Sequence, residues 1–260
     1  MVRLASSLSR RAAYAIILIV WQAASYAARG WLVGPLDILS AYADPGFASK
    51  LVEAYAVTAT RALTGFLLGL VAGLGLGLLT AYIRVGEDVA EGLAAVASSV
   101  PSVAWIPLLI AAMGVDEFRL PVAVSFLCSF PPILYQSISA ARSIDPEQVM
   151  VARTLGARGL FLWRTIILPS IVEKVFPAVK VEAAMVWKTV FAAEMVAVPS
   201  GLGYLAMLYA DLLDVRHVAA IVALLAVTVA AIVYVVSRVE KLMLKRRGLG
   251  VQVWRLELGL

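Results

Sequence analysis

Met150-Val151-Ala152-Arg153-Thr154-Leu155-Gly156, followed after nine residues by Ile166-Ile167-Leu168-Pro169, lies in a polar, arginine-bearing segment between two very apolar runs. A membrane protein that keeps such a segment on one side of the bilayer presents it to a soluble partner. The plainer alternative is an amphipathic helix lying on the lipid headgroups with its arginines snorkelling to water. The local signals are mechanical ones. Asp145-Pro146 starts a helix, with Asp145 as N-cap and Pro146 at the first position. The helix runs through about Leu155 and ends at Gly156, whose missing Cβ permits left-handed cap geometry. A second short helix through Ile167 is expected to break before Pro169. Two short helices joined at a glycine form a compact projecting knob.

The flanking runs set the class. The chain of 260 residues is 62% hydrophobic and 15% charged, against about 45–50% and about 25% in soluble domains. Its mean hydropathy of +0.93 excludes a soluble globular domain. Runs of apolar residues place spans near 12–28, 62–83, 93–113, 120–140, 175–197 and 217–237, an all-α membrane protein in a single domain. Arg10-Arg11 ahead of the first run also fits a cleavable signal, but further spans follow and a first transmembrane helix has the same appearance. Pro101, Pro107, Pro121, Pro131 and Pro132 remove backbone donors from the third and fourth spans. Those spans must therefore face protein or a cavity rather than lipid alone.

Charge gives the orientation. Six spans put both termini on one side, which carries fifteen flanking Lys and Arg, including Arg84 and the five between Arg142 and Lys174. The other side carries five: Arg29, Lys50, Arg61, Arg119 and Arg216. The positive-inside rule makes the richer side, with segment 142–169, cytoplasmic. The net charge of +5 is thereby explained without nucleic acid. Between the first two spans, turns at Gly34-Pro35 and Asp44-Pro45-Gly46 lead to an expected short interfacial helix over 48–60.

Catalytic groups are missing. There is no G-x-x-x-x-G-K-[ST] phosphate loop and no G-x-S-x-G elbow. One histidine, His217, and one cysteine, Cys128, cannot make a zinc site or a disulfide, so neither enzyme activity, metal nor cofactor is expected. His217 reads as an interfacial residue without a role. Gly65, Gly69, Gly73 and Gly77, spaced by four, line one helix face for close packing, either within the chain or across a two-fold axis. The fifth span carries Lys180, Glu182, Lys188 and Glu194. Charges near mid-bilayer cost at least about 2.5–3.5 kcal/mol, so such residues face a bundle interior or water. Lys180 and Glu182 can reach the cytoplasmic interface. Lys188 and Glu194 are deeper and lie on different faces, so each either pairs with another helix or lines a water-filled route.

Segment 150–169 resembles the "EAA" loop of binding-protein-dependent ABC importer permeases, with Ala152, Gly156, Ile166, Leu168 and Pro169 in register. Met150 and Val151 replace the first two letters. The likeness to the nitrate/sulfonate/taurine branch runs almost end to end. Thr60-Arg61 and Gly65-Phe66 resemble its T-x-x-R-x-x-x-G-F segment, with Thr58 as the alternative threonine. Pro101-Ser102-Val103-Ala104-Trp105-Ile106-Pro107-Leu108 is similar to its P-x-x-A-x-x-P-L pattern, and Trp187, Glu194 and Gly201-Leu202-Gly203 to its W-x6-E…G-L-G pattern. Glu173 and Glu182 stand where the branch is commonly neutral.

The resemblance implies a type I ABC importer permease of six transmembrane helices in a prokaryotic plasma (inner) membrane. Two copies form the translocation route by alternating access, and an external solute-binding protein delivers a small anion or vitamin precursor. A cytoplasmic ABC ATPase dimer, which hydrolyses the ATP, receives the coupling segment through Ala152, Arg153, Leu155, Gly156, Ala157, Arg158, Leu168 and Pro169. The route or its interhelical polar contacts fall to Trp187, Lys188, Glu194, Pro101 and Pro107. A secondary transporter working without an ATPase is the rival; repeat symmetry or paired interrupted helices would mark it, and the sequence has neither.

Overall fold

The computed structural model describes residues 2–28, 32–83 and 87–246. Arg29, Arg84 and the basic residues beyond Arg246, which enter the charge count above, lie outside them. Every regular element among the described residues is helical: α1 (Val2–Ala27), α2 (Pro35–Tyr42), α3 (Pro45–Ile83), α4 (Glu87–Ser99), α5 (Ile106–Met113), α6 (Arg119–Arg142), α7 (Pro146–Thr154), α8 (Gly159–Leu162), α9 (Leu168–Ala197), α10 (Leu202–Asp211) and α11 (Val215–Arg246). Among these, α3, α6 and α11 are long and apolar enough to cross a membrane alone. Two bent pairs qualify together, and Ala12–Ala27 of α1 is a shorter apolar helix.

The centre of the molecule is a close pairing of α3 with α6, packed in turn on α9. The sequence builds that pairing directly. A Cβ on Gly65, Gly69, Gly73 or Gly77 would lie 2.4, 2.1, 2.9 or 2.4 Å from Ser125, Ser129, Ile133 or Ser137 of α6. Both helices thus repeat every four residues, and the missing side chains let the backbones approach to where Ser125 Oγ donates to the Ala62 carbonyl at 3.2 Å. The glycine stripe is spent inside the chain, not across a two-fold axis.

Four expectations need correction. No separate interfacial helix occupies 48–60, because α3 runs unbroken from Pro45 to Ile83; at about 1.5 Å per residue it is far longer than a bilayer core of about 30 Å. The span expected at 93–113 is bent by 95° between α4 and a 3-10 turn, Ser102–Trp105, that leads into α5. Pro101 has no N–H for the α4 ladder, and the chain turns there. The helix does not break before Pro169, since a π-helical turn at Trp163–Ile167 joins α8 to α9. The proline ring crowds the carbonyl four residues back, and the wider turn, in which Leu168 N–H reaches the Trp163 carbonyl, relieves this. His217 is not idle at an interface but buried, stacked on Tyr209 with ring centroids 4.6 Å apart and hydrogen-bonded to Asp214 at 2.6 Å.

Candidate functional site

Two arrangements stand out, one in the segment between α6 and α9 and one at the opposite end of α9. The first is the knob. Asp145 Oδ1 accepts from Glu147 N–H at 2.8 Å and caps α7. At the other end Gly156 takes φ +93°. Ala157 N–H then donates to the Ala152 carbonyl at 2.9 Å and Gly156 N–H to Arg153 at 3.0 Å, the paired bonds of a Schellman cap. Ala152 and Ala157 are buried against Leu162, so they hold the knob together rather than meet a partner. Arg153, Leu155 and Arg158 face outward with Met150, Val151, Leu160 and Phe161; Leu155 is 84% exposed. Leu168 and Pro169 are half-buried at the start of α9.

The knob rests on a charged base. Arg142 at the end of α6 pairs with Glu87 at 3.0 Å and Glu91 at 2.5 Å, and also with Asp88, all on α4. Lys174 of α9 donates to the Ser143 carbonyl at 2.6 Å. The stems of three helices are therefore tied where the knob leaves the bundle.

The second arrangement is a buried ionic latch. Thr58 and Arg61, three apart on α3, meet Glu194 of α9, with Arg61 2% and Glu194 1% exposed. Arg61 Nη1 donates to Glu194 Oε1 at 2.8 Å and to the Ser200 carbonyl at 2.9 Å. Thr58 Oγ1 donates to the same carboxylate at 2.8 Å and accepts from Leu202 N–H at 2.8 Å. Gly203 N–H completes the set at 3.0 Å from Oε2. The glycines are obligatory. A Cβ on Gly203 would lie 2.1 Å from the Phe191 carbonyl oxygen. Gly201, at φ +97°, has the Glu194 carboxylate 2.2 Å from where its Cβ would be. Ser200 Oγ extends the network to Glu117 at 2.7 Å. Next to Glu117, Asp116 accepts from the Arg119 and Phe118 amides at the head of α6, which hold its carboxyl below the ordinary range. Arg61, which the charge count assigned to an external flank, is thus an internal partner, and Thr58 is the threonine that shares its face.

The family model described as "binding-protein-dependent transport system inner membrane component" matches residues 38–248. A probable ABC transporter permease protein of Brucella melitensis is 32% identical over 184 residues, covering 70% of this chain and 74% of that one. The putative aliphatic sulfonates transport permease protein SsuC of Escherichia coli is 31% identical over 196 residues, 74% of this chain and 73% of its own. Among solved structures, an inward-facing form of the MetNI methionine ABC transporter is similar in fold, with TM-score 0.67 and 16% identity over 77% of this chain and 99% of the other.

The chain belongs to this family of inner-membrane transport components. It is an ABC importer permease of the nitrate, sulfonate and taurine branch, a multi-pass membrane protein rather than an enzyme. In this permease the three patterns of the branch meet two structural needs. The T-x-x-R and G-L-G segments and the glutamate of W-x6-E converge on the latch, while Trp187, two turns before Glu194, is buried beside Tyr55 with ring centroids 5.8 Å apart. The Pro101–Leu108 pattern makes the bend, and its Ile106 packs against Val124 and Ala193, next to Glu194. Pro101 and Pro107 themselves are exposed. Lys188 is exposed too, and no other described residue pairs with it. Lys180, by contrast, pairs with Glu240 of α11 at 2.7 Å, and Glu182 is buried beside Cys128 Sγ at 3.7 Å. Sequence reasoning missed Met150, Leu160 and Phe161 as outward residues of the knob, although its end signals at Asp145 and Gly156 imply which side must face out.

Proposed function

We propose that this permease crosses the inner membrane six times with both termini cytoplasmic, near the spans given above. It pairs with a second copy and carries a small anion by alternating access. A cytoplasmic ATPase dimer receives the knob, and an external solute-binding protein delivers the solute. The observation that carries this reading is the knob itself. It is capped at both ends and internally packed through Ala152, Ala157 and Leu162, and it turns Leu155 and Phe161 to solvent. A rigid projection that presents both apolar and arginine side chains is suited to a groove on a partner, and a headgroup-bound helix needs no such caps. Closure of the ATPase dimer on ATP moves the knob. The Arg142 and Lys174 contacts pass that motion to α4, α6 and α9, while the latch keeps the far end of α9 fixed to α3. The anion class follows from relatives named for aliphatic sulfonates, nitrate and taurine.

Purification of the tagged permease from its native membrane tests the reading. An ABC ATPase should co-elute, and ATP-driven uptake should require it. Solute uptake by liposomes holding this chain alone would establish the secondary transporter instead.

A further inference from the structure

Lys188 stands near the middle of the apolar run 175–197 of α9. Lys174, bonded to the Ser143 carbonyl, marks one end of that run and the Glu194 latch lies near the other. At about 1.5 Å per residue, Lys188 is about 21 Å from Lys174 and about 14 Å from the helix end at Ala197, beyond the reach of a four-carbon stem. It cannot snorkel to either interface. It lies on a stripe with Val181, Met185 and Met195, exposed residues on the side of α9 that α3, α6, α10 and α11 leave open. An ammonium ion there cannot face lipid tails at acceptable cost, so water, an anion or a protein carboxylate must cover it.

A protein carboxylate is hard to find. The apolar run of α9 holds two, Glu182 and Glu194; both are buried, and Glu194 is occupied by Arg61. Helices α1, α5 and α6 have none, while α3, α4, α10 and α11 carry theirs toward the ends, at Glu53, Glu87 to Glu91, Asp211 and Glu240. A second copy therefore has no free acidic side chain to offer at this depth among the described residues. The neighbouring position, Thr189, donates to Cys128 Sγ of α6 at 3.4 Å, and the 3-10 turn Ser102–Trp105 packs on both α6 and α9. The bend at Pro101 thus lies at about the level of Lys188, and Pro101, Val103 and Ala104 of the bend are exposed. A turned backbone at this depth is tolerated only where it is buried in protein or lines a water-filled cavity, and the exposure of Pro101, Val103 and Ala104 fits the cavity.

We propose that Lys188 is an anion-binding residue inside the passage, an ammonium group that meets the nitrate- or sulfonate-like oxyanion head of the solute halfway across the membrane. This rests on the importer reading and adds a selective contact within the permease itself. Binding of radiolabelled nitrate and of ethanesulfonate to the purified full-length permease in proteoliposomes tests it. The wild type should bind at least one of them saturably. Lys188→Met should weaken that binding by about tenfold or more, and Lys188→Arg should keep it. A Lys188→Cys variant in membranes should react with a water-soluble, sulfonate-bearing methanethiosulfonate. No saturable binding to the wild type, equal binding by Lys188→Met, or a Lys188→Cys variant inert to the reagent would overturn the proposal. The importer reading has a separate readout: if an ATPase co-elutes and drives uptake while Lys188→Met binds like the wild type, only the lysine assignment falls.

Discussion

Arg61 and Glu194 are so fully enclosed that neither charge can fall back on water when its partner is lost. Removing one member of a buried pair costs about 3–5 kcal/mol, whereas replacing both with apolar residues of similar size is often nearly neutral. Glu194→Gln should therefore destabilise the purified permease by an amount of that order, and Arg61→Met added to it should recover most of the loss. Thermal unfolding of the two single variants and the double variant checks this; a double variant no more stable than Glu194→Gln would remove the latch as the reason for these residues. The sequence exposed the problem of Glu194 but not its solution, because Arg61 lies 133 positions away and reads as a flanking charge. The legible signal was spacing: Thr58 and Arg61 are three apart and share one helix face.

Helix α3 contains its own control. Gly69 faces α6, where a methyl group would lie 2.1 Å from Ser129 Oγ and 3.0 Å from the Phe130 nitrogen, while Gly75 has open space around its Cβ direction. Gly69→Ala should force α3 from α6 and destabilise the permease. Gly75→Ala should be neutral or stabilising by up to about 1 kcal/mol through helix propensity alone. Unfolding curves of the two variants separate the effects, and equal shifts would mean that packing of α3 on α6 is not what the glycines serve. The four-residue repeat made this face readable, as the capping residues made α7 readable from Asp145 to Gly156. The bend at Pro101, the π turn before Pro169 and the continuity of α3 past Arg61 were not readable. A proline shows that a donor is missing but not whether the chain answers by turning, widening or continuing. That answer comes from neighbours such as Val124 and Ala193, which pack on Ile106 from distant parts of the sequence.

At the scale of the whole molecule, the orientation and the knob stand or fall together, because the charge bias and the projecting segment assign the same side to the cytoplasm. A cysteine at Arg158, an exposed position, should be labelled by a membrane-impermeant reagent in inverted vesicles and not in intact cells; labelling from outside would reverse the topology. The sharper test is Gly156. At φ +93° a β-branched residue is strained even with open space around it, at a cost of roughly 1–2 kcal/mol. That is too little to unfold a bundle held by the α3–α6 seam and the latch. It is enough to disturb the cap that sets the angle between α7 and α8, since Ala157 N–H reaches Ala152 only through a left-handed turn. Gly156→Val should therefore leave the permease folded and inserted, less stable by no more than about 1–2 kcal/mol, while ATPase co-purification and ATP-driven uptake fall together. A helix lying on the headgroups predicts otherwise, because its surface tolerates valine and its caps transmit nothing. Wild-type values for both measurements would sink the coupling assignment, and loss of uptake with the ATPase still bound would shift the role of Gly156 from docking the partner to transmitting its motion.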